Sequence, residues 1–113
     1  MLYMVGSFDF NRERFTLDEA ERHYREYHVP LARRLPGLRR YVIGPLVATR
    51  TVPAERHRAA ILGFDSLEAL RAAYGSPVGQ ELRVDEGNLL AQPRAILLAG
   101  EEILWRTSAF ASL

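Results

Sequence analysis

The sequence predicts an α+β domain of element order βαββαβ, an α+β sandwich built on an antiparallel sheet, and three observations carry that expectation. Short apolar runs rich in Val, Ile, Leu and aromatic residues recur along the chain as strands. Amphipathic stretches with apolar residues three and four apart lie after the first of these runs and before the last. Turn-forming Pro-Gly and Gly-Pro pairs punctuate the joins, so helices and strands alternate in the split pattern of a two-layer domain.

Each element has its own local reason. Leu2 to Phe8 is short, apolar and aromatic, the first strand, and Asp9 to Phe15 is a polar loop. Thr16-Leu17-Asp18-Glu19 has the form of a capping box, in which the threonine hydroxyl takes the Glu19 amide and the glutamate reaches back; helix one starts there. Within it Ala20, Tyr24, Tyr27, Leu31 and Leu35 form one stripe for burial. Pro30 removes a backbone donor inside that stripe and leaves the Glu26 carbonyl without its usual partner, which predicts a kink beside His28. Gly37 ends the helix. Leu38 to Arg50 supplies a second strand broken at Gly44-Pro45, Pro53 to Arg56 a hairpin turn, and His57 to Phe64 a third strand. Asp65 or Ser66 caps a short helix over Leu67, Leu70 and Ala73, and Ser76-Pro77 opens another with proline at its permitted first position. Arg94 to Thr107 is the last strand, with Gly100-Glu101-Glu102 as a bulge or barrel-edge feature inside it.

Composition narrows the classes. A chain of 113 residues, 48% hydrophobic and 26% charged, makes one folded domain over residues 1–113. No apolar stretch approaches the roughly 18 to 20 residues of a membrane span, and no basic-then-apolar leader opens the sequence, so no membrane and a cytoplasmic location are expected. All 15 basic residues are arginine, which reads as codon bias; 14 acids leave a net charge of +1, far from the lopsided surface that nucleic acid binding wants. RNA-recognition modules share this strand order, but Arg58-Ala59-Ala60-Ile61-Leu62-Gly63 offers aliphatics where they need exposed aromatics. The absence of cysteine excludes disulfides, thiolate metal sites and cysteine nucleophiles. His23 and His28 are five apart, about 140° around an α-helix, and cannot share a metal on one face. No metal site is expected, and His23 and His57 are assigned surface roles.

Ala59 to Phe64 and Ala95 to Ala99 are apolar at consecutive positions, whereas a sheet with one wet face should alternate. The helices of this topology cover one face, so a second copy is expected on the other, giving a homodimer packed sheet against sheet.

The run Tyr24 to Tyr41, with its Tyr-x-x-x-His-x-Pro-Leu and Leu-Pro-Gly-Leu-Arg-Arg-Tyr, resembles the EthD family of the dimeric α+β barrel superfamily. Phe64 to Ala73, followed by Ser76-Pro77-Val78-Gly79-Gln80, is similar to that family's second block, and the match departs from it at Ser7 to Arg14. The resemblance implies a ferredoxin-like protomer, a two-fold barrel dimer and a small cavity handling cyclic or aromatic molecules with no cofactor, metal or nucleotide. It also implies a link to oxidative degradation or polyketide-type biosynthesis.

His28 is the candidate catalytic residue, with Tyr24 one turn before it as hydrogen-bonded partner or second wall of one pocket. An imidazole desolvated by Tyr24, Leu31 and the sheet stays neutral and can act as a base, for isomerisation, dehydration, cyclisation or tautomerisation of an activated carbonyl or quinol. Its structural alternative is a histidine bracing the carbonyls freed by Pro30. Tyr41, Tyr3 and Trp105 are candidate substrate-binding residues because a flat ring stacks on them, with core packing as the plainer role for these and for Tyr27. Arg33-Arg34 and Arg39-Arg40 bracket the turn, where they can attract an anionic substrate, with a solvated basic corner as the plainer role. Two functions remain: a cofactor-independent enzyme on a small cyclic or aromatic compound, and a non-catalytic dimeric metabolite-binding or accessory protein for an oxygenase. The first wants a roomy pocket reaching His28; the second a filled one. Neither Gly-x-Gly-x-x-Gly nor Gly-x-Ser-x-Gly occurs.

Overall fold

The computed structural model describes residues 1–106. Strand β1 (Leu2–Phe10) leads into helix α1 (Leu17–His23), a π-helical turn (Tyr24–His28) and helix α2 (Val29–Arg33). Strands β2 (Arg40–Pro45) and β3 (Arg58–Phe64), helices α3 (Leu67–Gly75) and α4 (Pro77–Leu89), and strand β4 (Leu90–Ala99) follow. The sheet is antiparallel, in the order β2-β3-β1-β4, with Met4 opposite Leu62 on β3 and opposite Leu97 on β4. Helices on one side of such a sheet make the α+β, ferredoxin-like fold that the sequence predicts.

The caps form as the sequence dictates. Thr16 and Glu19 close a reciprocal capping box, Ser66 accepts from the Ala69 amide, and Ser76 accepts from the Gly79 amide with Pro77 beginning α4. Gly37 sits at φ +78° in the turn between α2 and β2, a backbone state open to glycine at little cost.

The kink expected at Pro30 is instead a π-helical turn just before it. The Val29 amide donates to the Tyr24 carbonyl, five residues back, and Pro30 then lies in the first turn of α2, where no donor is required of it. The wider turn changes which side chains face inward. Ala20, Tyr24, Leu31 and Leu35 are buried, but Tyr27 is 42% exposed and His28 takes its place.

Other boundaries move. Strand β2 ends at Pro45, and a loop over residues 46–57, tightened by a turn at Thr49–Val52, replaces the expected hairpin turn at Pro53–Arg56. Strand β4 starts at Leu90, directly from the cap of α4, and ends at Ala99. Glu101-Glu102 therefore follows the strand rather than interrupting it, and Thr107 lies outside the described residues. Between Ser7 and Asp9 the pairing with β4 slips, so that Phe8 faces both Gln92 and Pro93; Gln92 takes φ +51° at this bulge. The bulge lies on an edge strand, where a proline costs no ladder bond.

Two buried clusters tie the helices to the sheet. Leu31, Leu35, Leu62, Phe64, Ala73 and Leu82 form one, and Phe8, Phe10, Ala20, Tyr24 and Leu89 the other. Each large side chain fully buried, such as Phe64 or Leu89, contributes about 1.5–3 kcal/mol. Among the described residues no helix covers the opposite sheet face, where Val42, Ile96 and Leu98 project and are 53–67% exposed.

Candidate functional site

A cavity of about 340 Å³ lies between the helix-covered face of the sheet and the helices. Met4, Gly6, Phe8, Ala60 and Leu62 floor it from β1 and β3, and Ala32, Leu70 and Leu82 close it from the helices. His28, Tyr41, Tyr74, Arg83, Glu86 and Arg94 supply its polar groups. A mostly apolar space of this size with a few convergent polar groups is the form of a small-molecule site.

His28 reaches the cavity because the π turn presents it inward and Pro30 restarts the helix behind it. Its Nδ1 lies 2.8 Å from Oδ2 of Asp85 on α4. The other oxygen of that carboxylate, Oδ1, lies 2.6 Å from Nε2 of His23. A π turn closes its hydrogen bonds five residues apart, so side chains five apart come onto one side. The 140° separation of a plain α-helix does not apply, and His23 meets Asp85 instead of keeping to the surface role assigned to it. Both imidazoles meet the Asp85 carboxylate, and among the described residues no group of three or more His, Asp or Glu side chains could hold a metal ion.

A carboxylate oxygen accepts, so the tautomers that fit these two contacts carry the proton on Nε2 of His23 and on Nδ1 of His28. Nε2 is the nitrogen of His28 left for a ligand. Burial disfavours the His28 cation more than Asp85 favours it, and holds the imidazole pKa below its ordinary value. Glu86, the next residue along α4, faces the cavity, where burial pushes its carboxyl up to about 7, against the pull of Arg83. Burial likewise raises the phenols of Tyr41 and Tyr74, which stay protonated donors.

The remaining sequence candidates separate. Tyr24 is no hydrogen-bonded partner of His28: its ring stacks on the imidazole, centroids 5.3 Å apart at 21°, and does not line the cavity. Its hydroxyl and that of Tyr41 influence each other's ionisation, yet no hydrogen bond of ordinary geometry joins them, and the buried Tyr24 hydroxyl has no partner among the described residues. The Arg58 guanidinium lies over the Tyr24 ring, 5.2 Å from its centroid, and pairs with Glu21, which also meets Nε2 of His57 at 2.7 Å. His57 thus joins the start of β3 to α1 by a hydrogen bond, a bracing role in place of the surface role assigned to it. Tyr41 lines the cavity; Tyr3 and Trp105 do not. Those two line a separate depression with Met1, Arg40 and Glu101, where the Arg40 guanidinium sits 5.5 Å from the Trp105 ring.

Asp85 and Glu86 went unread in the sequence. The signal was present: Leu82, Asp85 and Leu89 share the buried side of α4, so a carboxylate interrupts an apolar stripe.

Residues 12–93 match the family model described as EthD domain. An uncharacterized 11.0 kDa protein of the thcB-thcC intergenic region of Rhodococcus erythropolis is 29% identical over 82 residues, 73% of this chain and 80% of that protein. Among solved structures, an EthD family protein from Bacillus halodurans superposes with a TM-score of 0.71 at 22% identity, covering 91% of this chain and 99% of that one. A dimeric ferredoxin-like protein of unknown function from Thermobifida fusca gives 0.67 at 20% identity, over 87% and 89% of the two chains. SnoaB, a cofactor-independent oxygenase from Streptomyces nogalater, gives 0.63 at 17% identity, over 91% and 95%.

Proposed function

This chain belongs to the EthD domain family, and from that premise we propose that it is a cofactor-independent acid–base catalyst, a homodimer, acting on a small cyclic or aromatic carbonyl compound. The observation that carries the reading is the open cavity of about 340 Å³ reaching His28 while Asp85 holds the far side of the same ring. A filled pocket would have favoured a scaffold.

Nε2 of the neutral His28 takes a proton from a C–H or O–H group activated by an adjacent carbonyl. The imidazolium that forms is stabilised through Nδ1–H by the Asp85 carboxylate, which also fixes the tautomer. Protonated Glu86 and the phenols of Tyr41 and Tyr74 offer hydrogen bonds to the developing enolate oxygen. Return of the proton from Nε2 to a different atom completes an isomerisation or tautomerisation. The base keeps its pKa low and the carboxylic acid keeps its own high, the separation that assigns acid and base within one site. The description of SnoaB as a cofactor-independent oxygenase is compatible with an enolate-forming site on this fold. Dimerisation is supported by the uncovered apolar sheet face and by the dimeric description of the Thermobifida fusca protein.

The test is deuterium exchange in D2O, followed by NMR, on a panel of cyclic 1,3-dicarbonyl and polyphenolic compounds. The wild-type protein is expected to accelerate exchange at the acidic position, and His28→Ala to lose about 10²- to 10⁴-fold of that rate with its fold intact. Exchange unaffected by His28→Ala removes the proposed base. Ligand binding without exchange by the wild-type protein gives the accessory, metabolite-binding reading instead.

A further inference from the structure

We propose that His23 is a positioning residue for the cavity base: its Nε2–H clamps one oxygen of Asp85 so that the other is held against Nδ1 of His28, locking His28 in the tautomer whose bare Nε2 faces a ligand. The inference rests on the reading of His28 as the base, and extends it to a residue outside the cavity.

The geometry is that of a three-membered chain running inward from the surface. His23 has a side chain 31% exposed, Asp85 9% and His28 7%. A lone Asp–His contact leaves the carboxylate free to turn about its own side-chain bonds and to trade its histidine for water. Two donors on opposite oxygens, at 2.6 and 2.8 Å, remove that freedom. His23 is itself held, packed between the Phe15 ring at 5.8 Å and the Tyr27 ring at 5.0 Å. Tyr27 in turn donates to Glu81 at 3.0 Å, so α1, the π turn and α4 are joined along one line. Outer groups that fix the orientation of an inner ligand or base act in this way in other sites. The exposure of Tyr27, a departure from the α-helical stripe, has its use here: the ring is a wall for His23 rather than part of the core.

The test reads the tautomer of His28 directly and without substrate, by long-range proton–nitrogen NMR of the imidazole nitrogens near pH 8, with each histidine assigned by its own substitution. In the wild-type protein His28 is expected to show a protonated Nδ1 and a bare Nε2. His23→Ala is expected to give an averaged mixture of tautomers at His28, and His23→Gln, whose amide can donate to Asp85, to restore the wild-type signature. Asp85→Ala should lose it as well. A purely structural His23 would lower the melting temperature in His23→Ala and leave the His28 signature unchanged, which overturns the proposal; so would a wild-type signature in Asp85→Ala. Should His23→Ala not fold, His23→Leu keeps the bulk and is read in its place. If the ring signals behave as expected but no compound in the panel exchanges deuterium, the catalytic reading of His28 fails and the positioning stands. If exchange occurs and the ring signals ignore His23, the positioning fails alone.

Discussion

Glu86 lines the cavity on a helix whose next inward turn is Leu89, and burial pushes its carboxyl from the ordinary 4.5 up to about 7. Between those values the folded protein keeps a proton that the unfolded chain has released. The stability tied to this group is therefore full below pH 4.5 and lost as pH rises towards 7, an effect of about 2 kcal/mol after allowance for partial exposure. Glu86→Gln should remove that dependence, making the variant more stable than the wild type at pH 8 and not at pH 4.5. Urea midpoints at the two pH values check it, and an equal difference at both would mean the carboxyl is not buried in the folded protein. His28 acts at the other limb. Its pKa is lowered, so its contribution is present above the ordinary histidine range and is lost as pH falls below it. Of the residues in this site, His28 and Tyr41 were legible because one lies at an interrupted helix and the other opens a strand after a basic corner. Asp85 and Glu86 went unread, since a carboxylate that interrupts the buried stripe of α4 does not by itself say that it meets a histidine 57 residues away.

At the scale of elements, α3 and α4 meet at Gly79, where an added Cβ would fall 2.5 Å from Tyr74 Cα and against the Ala73 carbonyl. Backbone cannot move aside as a side chain tip can. Gly79→Ala should lower stability by about 2 kcal/mol or more, read as a reduced urea midpoint, and an unchanged midpoint would show that the two helices separate freely. This glycine belongs to the block Ser76-Pro77-Val78-Gly79-Gln80 that marks the family in the sequence, and its physical reason is close helix approach. Caps at Thr16, Ser66 and Ser76 were readable because each involves residues within three positions of one another. The π turn was hidden because Tyr24, Tyr27 and Leu31 also satisfy α-helical spacing. The true start of β4 was hidden for a different reason: Leu90 is a strand residue only because Phe10 pairs with it, across 80 residues that no local pattern connects.

At the scale of the whole molecule, the described residues leave one face of the sheet bare. Val5, Ile61 and Ile96 occupy neighbouring positions on it, with Val42 and Leu98 alongside, and the consecutive apolar runs of β3 and β4 were the visible sign of this in the sequence. An apolar patch of that kind belongs against another surface. Sedimentation at micromolar concentration is expected to give a dimer, and Ile96→Asp to give a monomer with unchanged far-ultraviolet dichroism. A wild-type monomer at that concentration would remove the proposed assembly. A cavity was implied by the resemblance alone; its walls were not legible in the residues, because they come from all four strands and from the π turn, α2, α3 and α4, and only their docking creates the space.

The π turn also sets an equivalence between sequence patterns. A carboxylate gripped by two imidazoles can be presented by His-x-x-x-His on an ordinary helix, and equally by His-x-x-x-x-His where one residue has been inserted and the helix has swollen to absorb it. Insertions and deletions at such a place are silent in geometry, although they look disruptive in an alignment. A search for bridged histidine pairs that accepts only the shorter spacing would pass over this chain.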